Sequence, residues 1–194
     1  MSTLSQFKST LINGGARPNL FEVNIPELAG STKKKQGNDD QDFTFLVKGT
    51  SLPETTVGLV EIPFRGRTFK VAGDRTFAPW SITVINDTEF KIRTAMEEWA
   101  QSIAQYGDGS GNQGPNTYMR EATVTQLGRS GADTGDGVVK GKGLQALKTY
   151  KFYDIWPSSI SAIDLSYDSS DVIEEFTVEF QVQYWAPEKV TKKT

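Results

Sequence analysis

Apolar and polar residues alternate along most of this chain with a period of two, the spacing of strands that bury one face. The cleanest case is residues 176–184, where Phe176, Val178, Phe180, Val182 and Tyr184 oppose Thr177, Glu179, Gln181 and Gln183. Such a strand has one dry side and one wet side. The same pattern predicts strands at 21–25, 57–64, 66–72, 80–85, 117–127, 148–155 and 161–167, with Pro26 ending the first. Residues 43–50 are apolar at Phe43, Phe45, Leu46 and Val47, which predicts a strand in the sheet interior, followed by a turn at 49–53. Strands 57–64 and 66–72 read as a hairpin around Arg65-Gly66-Arg67. Further on, the Gly73-Asp74 pair predicts a break between strands, so Asp74 and Arg75 are expected as two charges at the tip of a paired β-segment.

One stretch changes period. Ile92, Met96, Trp99 and Ile103 fall at i, i+4, i+7 and i+11, one face of a helix that packs on the sheet. Asn86 followed by Glu89 has the form of a capping box, and Asp87 and Glu89 suit the positive end of the helix dipole. The helix is expected over about 87–105. Many short strands with hairpin signals and one helix predict a mainly β chain. The expected fold is an antiparallel β-sandwich or barrel-like fold with one flanking α-helix, in a single domain over residues 1–194. Loops at about 30–42, 107–116 and 128–143 are polar and cannot offset the entropy of ordering them, so they are expected to be mobile. The tail 186–194, with Lys189, Lys192 and Lys193, is expected to fray.

Composition narrows the chemistry. With no cysteine and no histidine, the chain lacks thiolate and imidazole nucleophile systems and the usual zinc ligands. Its 24 acidic and 21 basic residues give a formal charge of −3, without the basic footprint of a tight nucleic-acid binder. No apolar run approaches the roughly 20 residues of a bilayer-spanning helix, and residues 1–10 lack a signal-peptide pattern, so a soluble protein made in the cytoplasm is expected. Asp108 opens a loop with some oxygen ligands of a calcium site, but its sixth and twelfth positions are Gln113 and Met119 instead of Gly and Glu. Gly141-Lys-Gly143 lacks the spacing of a phosphate loop. Glu97-Glu98 and Glu174-Glu175 are adjacent and so point apart, unlike the facing carboxylates of a glycosidase. No enzymatic activity, cofactor or metal is expected.

The segment Ala72-Gly-Asp-Arg-Thr-Phe77, followed by Trp80 and the Asn86-Asp87 helix entry, resembles the tail tube proteins of contractile-tailed bacteriophages. Residues 16–23, Lys48 to Pro53, Trp99 to Ile103, Trp156-Pro157, Phe176 to Val178 and Tyr184-Trp185 resemble the same family in the same order. The resemblance spans about residues 16–185; the three polar loops are longer than the family's core requires. It implies a structural virion protein, a tail component synthesised and assembled in the host cytoplasm. Protomers would form homohexameric rings that stack into a hollow inner tube, surrounded by the tail sheath protein and bounded by baseplate and tail-terminator proteins. DNA would pass through that tube without specific binding. A tube from a tailocin or secretion-type injection machine shares the same physics. More distant is a monomeric β-sandwich that binds carbohydrate on aromatic residues such as Tyr106, Tyr118 and Tyr153.

Under this resemblance the charged tips and loops become candidate contacts. Asp74 and Arg75 would pair across a subunit boundary, and the basic hairpin bearing Arg65, Arg67 and Lys70 would meet acidic groups of a neighbour. Lys33, Lys34 and Lys35, close to Asp39, Asp40 and Asp42, would pair with opposite charges on the next ring. The wet face of Glu179, Gln181 and Gln183 would line part of the lumen, where acidic and amide groups repel or slide past DNA phosphates.

Overall fold

A single long strand organises the fold by belonging to two sheets. The computed structural model describes residues 4–10, 15–26, 46–112, 114–128 and 145–188. Along them run α1 (Leu4–Thr10), β1 (Phe21–Asn24), β2 (Val47–Thr50), β3 (Thr55–Phe64), β4 (Arg67–Phe77) and β5 (Trp80–Ile85). There follow α2 (Lys91–Ile103), α3 (Pro115–Tyr118), β6 (Arg120–Gly128), β7 (Gln145–Ile160), β8 (Glu175–Gln181) and β9 (Tyr184–Glu188). Every pairing is antiparallel. The first part of β7 lies between β6 and β9, with β1 beyond β6; its last part pairs with β8, which continues to β5 and β2. The changeover falls at Asp154, whose φ of 53° is a left-handed conformation uncommon outside glycine. A strand that bends and changes sheet makes the corner of a β-sandwich.

The core forms where the two sheets meet. On β5, Trp80, Ile82 and Val84 are buried, in register with Phe180, Val178 and Phe176 of β8. The Trp80 ring stacks on Phe152 of β7 at 4.6 Å and on Phe180 at 5.2 Å. Its indole Nε1–H donates to Thr50 Oγ1 at 2.8 Å, so the polar end of a fully buried ring is satisfied. Helix α2 buries Ile92, Met96 and Trp99 as the i, i+4, i+7 stripe predicts. Trp99 donates to the Tyr118 carbonyl at 2.7 Å and lies under the Arg120 guanidinium at 4.5 Å.

Several expectations need correction. The helix spans Lys91–Ile103 instead of 87–105, and among the described residues two short helices, α1 and α3, accompany it. Its N-cap is Phe90 in a left-handed conformation, and the Asn86/Glu89 capping box does not form. Both residues have better partners: Asn86 Nδ2 donates to Glu174 Oε2 at 3.0 Å, and Glu89 pairs with Lys91 at 2.8 Å. Asp87 takes over at the helix entry by accepting from the Lys91 N–H at 3.0 Å. Strand β2 lies at a sheet edge, not in the interior, because among the described residues it pairs with β5 alone; Phe43 and Phe45 lie outside them. Residues 161–167 form no strand and belong to the connection between β7 and β8. Strand 176–184 ends at Gln181, turns, and returns as β9 along β7. Residues 186–188 are therefore paired instead of frayed, while 189–194 lie outside the described residues.

The loop after α2 is tied to the helix by backbone hydrogen bonds. Gln105 N–H donates to the Ser110 carbonyl at 2.7 Å, and Asn112 N–H to the Ser102 carbonyl at 3.0 Å. Gly111 passes so close to α2 that a Cβ there would overlap the Ile103 carbonyl. Asp108 accepts from the Ser110 hydroxyl at 2.6 Å and its N–H at 2.9 Å, and these bonds hold its carboxyl below the usual range. The depressed value means that the contribution is present above the unfolded pKa and is lost as pH falls through the folded one. In a Ser110→Ala variant, the Asp108 carboxyl should titrate closer to an ordinary aspartate, followed by carbon-detected NMR; an unmoved titration would show that the hydroxyl bond is not made. The loops at 30–42 and, past Gly128, 129–143 lie outside the described residues.

Candidate assembly surface

Among the described residues, strands β3 and β4 pair only with each other and form a ribbon separate from both sheets. The ribbon closes on Arg65 and Gly66, with φ of 45° and 80°. Two central residues at positive φ make the type I′ turn, whose twist matches that of the flanking strands. The tip is therefore Arg65-Gly66, and the expectation that Asp74 and Arg75 occupy a tip is overturned: both lie within β4. The Gly73-Asp74 pair does not break the strand because it meets Gly58 across the ribbon. Register passes from Val57 opposite Arg75 to Leu59 opposite Ala72, so one residue of β3 faces two of β4 in a β-bulge. The backbones approach closely there. A Cβ on Gly58 would lie 3.2 Å from the Asp74 carbonyl oxygen, and one on Gly73 equally near the Gly58 carbonyl carbon.

The bulge sets which residues share a face beyond it. Val60, Ile62 and Phe64 of β3 align with Val71, Phe69 and Arg67 of β4, an apolar face ending in a basic tip. The opposite face carries Glu61 and Lys70, Pro63 and Thr68, and Leu59 and Ala72. All of this is exposed: Phe64 and Phe69 each show 64% of their surface, and Ile62 shows 48%. A lone two-stranded hairpin is marginal in water, and a large apolar face left uncovered marks an interaction surface.

The ribbon's charges have little to hold them within the chain. Arg65 lies 5.3 Å from the Phe64 ring centroid, and Lys70 sits 3.9 Å from Glu61 with both groups exposed. Arg67, Asp74 and Arg75 have no ion pair among the described residues. Exposed pairs contribute little in water, whereas a neighbour that excludes water strengthens them. Lys33, Lys34, Lys35, Asp39 and Asp40 lie outside the described residues.

The structure brings Glu179 and Gln181 together on the outer face of β8 but leaves Gln183 in the turn before β9. Around them stand uncharged polar residues that the charge pattern of the sequence does not mark. Ser81 of β5 and Ser159 of β7 flank Glu179, and Thr83 pairs with Thr177, their hydroxyls 3.4 Å apart. The alternation in residues 80–85 already placed Ser81 and Thr83 opposite the buried set; only the register shows that they join Glu179 in one hydroxyl-rich surface. Among the aromatic candidates, Tyr153 stacks on Tyr184 at 4.5 Å, which occupies a ring face that a sugar would need.

Residues 16–188 match the family described as phage tail tube protein. The tail tube protein gp19 of Enterobacteria phage T4 is 34% identical over 170 residues, covering 88% of this chain and 90% of that protein. The tail tube protein of Serratia phage KSP90 is 25% identical over 185 residues, covering 93% and 94%. Among solved structures, a chain of the PVC extracellular contractile injection system, in its extended sheath-tube complex, superposes with a TM-score of 0.56. It is 14% identical and covers 98% of this chain and 100% of its own. A chain of the anti-feeding prophage baseplate gives a TM-score of 0.59 at 11% identity, covering 98% and 99%. At those identities the structural likeness speaks to the fold alone. The matched span, by contrast, takes in both sheets and the whole exposed ribbon, and this chain belongs to the phage tail tube protein family.

Proposed function

We propose that this protein assembles as hexameric rings that stack into the inner tube of a contractile phage tail, the conduit for DNA during ejection. The observation that carries this reading is the ribbon. A family member whose apolar hairpin projects uncovered has a surface suited to a copy of itself. A head-to-tail contact that closes gives a ring, and a second contact along the axis gives a stack. The edges at β1, β2 and β9 would be covered by neighbours in the same way. The role is structural and non-enzymatic, in the virion tail, with sheath, baseplate and terminator proteins as the outer and end partners. A phage tail is favoured over an injection machine because the 34% identical relative is a phage protein, while the injection-system chains share little beyond the fold.

The outer face of β5, β8 and the end of β7 is the proposed lumen lining. Hydroxyls and Gln181 offer no fixed cation to hold a phosphate, and Glu179 repels one at short range. The Lys33–Lys35 and Asp39–Asp40 clusters are proposed as ring-to-ring contacts. Negative-stain electron microscopy across a concentration series, alone and with preformed baseplate or tube seeds, tests the whole reading. Hollow tubes of uniform diameter support it; particles that stay single even with seeds overturn it. Asp74→Lys reverses an exposed charge in the bulge, so it should impair assembly while the protomer's circular dichroism and melting stay as in the parent. Tubes of normal yield from that variant would remove Asp74 from the interface.

A further inference from the structure

A second exposed apolar surface lies in the connection between β7 and β8, residues 161–174. There Leu165, Tyr167, Val172 and Ile173 are each at least 67% exposed. The segment is tied down at both ends. Thr177 N–H donates to Ser161 Oγ at 2.9 Å, and Asn86 N–H donates to the Glu174 carbonyl at 2.9 Å. Between those anchors it carries Asp164, Asp168 and Asp171 and no basic residue. None of these three aspartates has an ion pair among the described residues. The ribbon is its complement, apolar on one face and basic through Arg65, Arg67, Lys70 and Arg75 against Glu61 and Asp74. Within one chain the two surfaces do not pair, since no ribbon cation reaches a carboxylate of the segment.

We infer that the β3–β4 ribbon of one protomer docks on the 161–174 segment of the next, a contact that rests on the tube reading above and names its two halves. The apolar face covers Leu165, Tyr167, Val172 and Ile173, and the arginines at the tip meet Asp168 and Asp171. Because the two surfaces differ, the contact is head-to-tail, the kind that can close a ring. Charge complementarity selects this pairing over ribbon against ribbon, which would bring cations together. Helix α1 also exposes Leu4 and Phe7, but its charged residue is Lys8, the wrong sign for the ribbon.

The chain's lack of cysteine makes the contact directly testable. Phe69→Cys and Val172→Cys, combined in one chain and assembled into tubes, should give a ladder of covalent multimers with a short bismaleimide. Each single variant alone should give none, and a mixture of the two should give dimers. Arg65→Glu with Arg67→Glu should raise the concentration needed for assembly by about tenfold or more, and adding Asp168→Lys with Asp171→Lys should restore it. Tubes that form without the ladder, together with charge reversal that the second pair does not rescue, would overturn this contact and leave the tube reading standing. Cross-linking of Phe69→Cys to itself would overturn it in favour of a symmetric contact. A parent chain that never forms tubes would overturn the tube reading and this contact with it.

Discussion

Ile62→Asp combined with Phe69→Asp is expected to abolish assembly while leaving the protomer folded. The two side chains oppose each other across the ribbon on its apolar face and are 48% and 64% exposed in the single chain. In the free protomer two carboxylates there remain in water, and the lost cross-strand contact is worth at most about 1 kcal/mol. The sandwich core is untouched because the ribbon does not belong to either sheet. In an assembled ring the same carboxylates would be buried against apolar groups, and an unpaired buried charge costs several kcal/mol at every contact. Repeated around a ring, that cost leaves no concentration at which tubes form. Sedimentation velocity should show monomer only, negative stain no tubes, and circular dichroism the parent's spectrum and melting. Ile62→Val with Phe69→Leu, which keeps the face apolar, should still assemble. Normal tubes from the aspartate variant would show that this face stays in solvent and that the interface lies elsewhere.

Those same residues show where legibility in the sequence stops. The alternation of 80–85 and the first half of 176–184, and the stripe of α2, correctly predict the buried faces of β5, β8 and the helix. Each is decided by its own periodicity. The ribbon's alternation is just as regular, yet nothing local reveals that its apolar face is uncovered; that depends on where the rest of the chain goes. Gly73-Asp74 reads as a break because both residues are poor in strands. Its actual role depends on Gly58, fifteen positions earlier, which shares the bulge with it. Val182 and Gln183 continue an unbroken alternation, so the turn into β9 comes from the free edge of β7 and not from local preference. Asn86 and Glu89 satisfy a capping pattern that Glu174 and Lys91 outcompete. At the proposed assembly surface the basic cluster is legible as Arg65, Arg67 and Lys70. The first half of the 161–174 segment reads as a strand over 161–167, although three aspartates without a balancing cation mark the whole segment.

Trp80→Ala should be the most destabilising single substitution of the protomer, and its effect should not depend on assembly. Trp80 is fully buried, and its ring lies between the two sheets, stacked on Phe152 from one and Phe180 from the other. Truncating it removes the transfer energy of a large ring and leaves a cavity that two rings on fixed strands cannot fill. The expected loss is about 3–5 kcal/mol, much of the roughly 5–15 kcal/mol that holds a domain folded. Trp80→Phe keeps most of the packing but removes the indole donor to Thr50 Oγ1, so its cost should be smaller, near 1–3 kcal/mol. Urea unfolding of monomer under non-assembling conditions measures both, the alanine variant having the lower midpoint. The contrast with the ribbon is the informative part. Trp80→Ala should lower assembly only through the fraction unfolded, whereas Ile62→Asp with Phe69→Asp should block it at full stability. A Trp80→Ala protomer with an unchanged midpoint would mean that the two sheets are held together by something other than this aromatic stack.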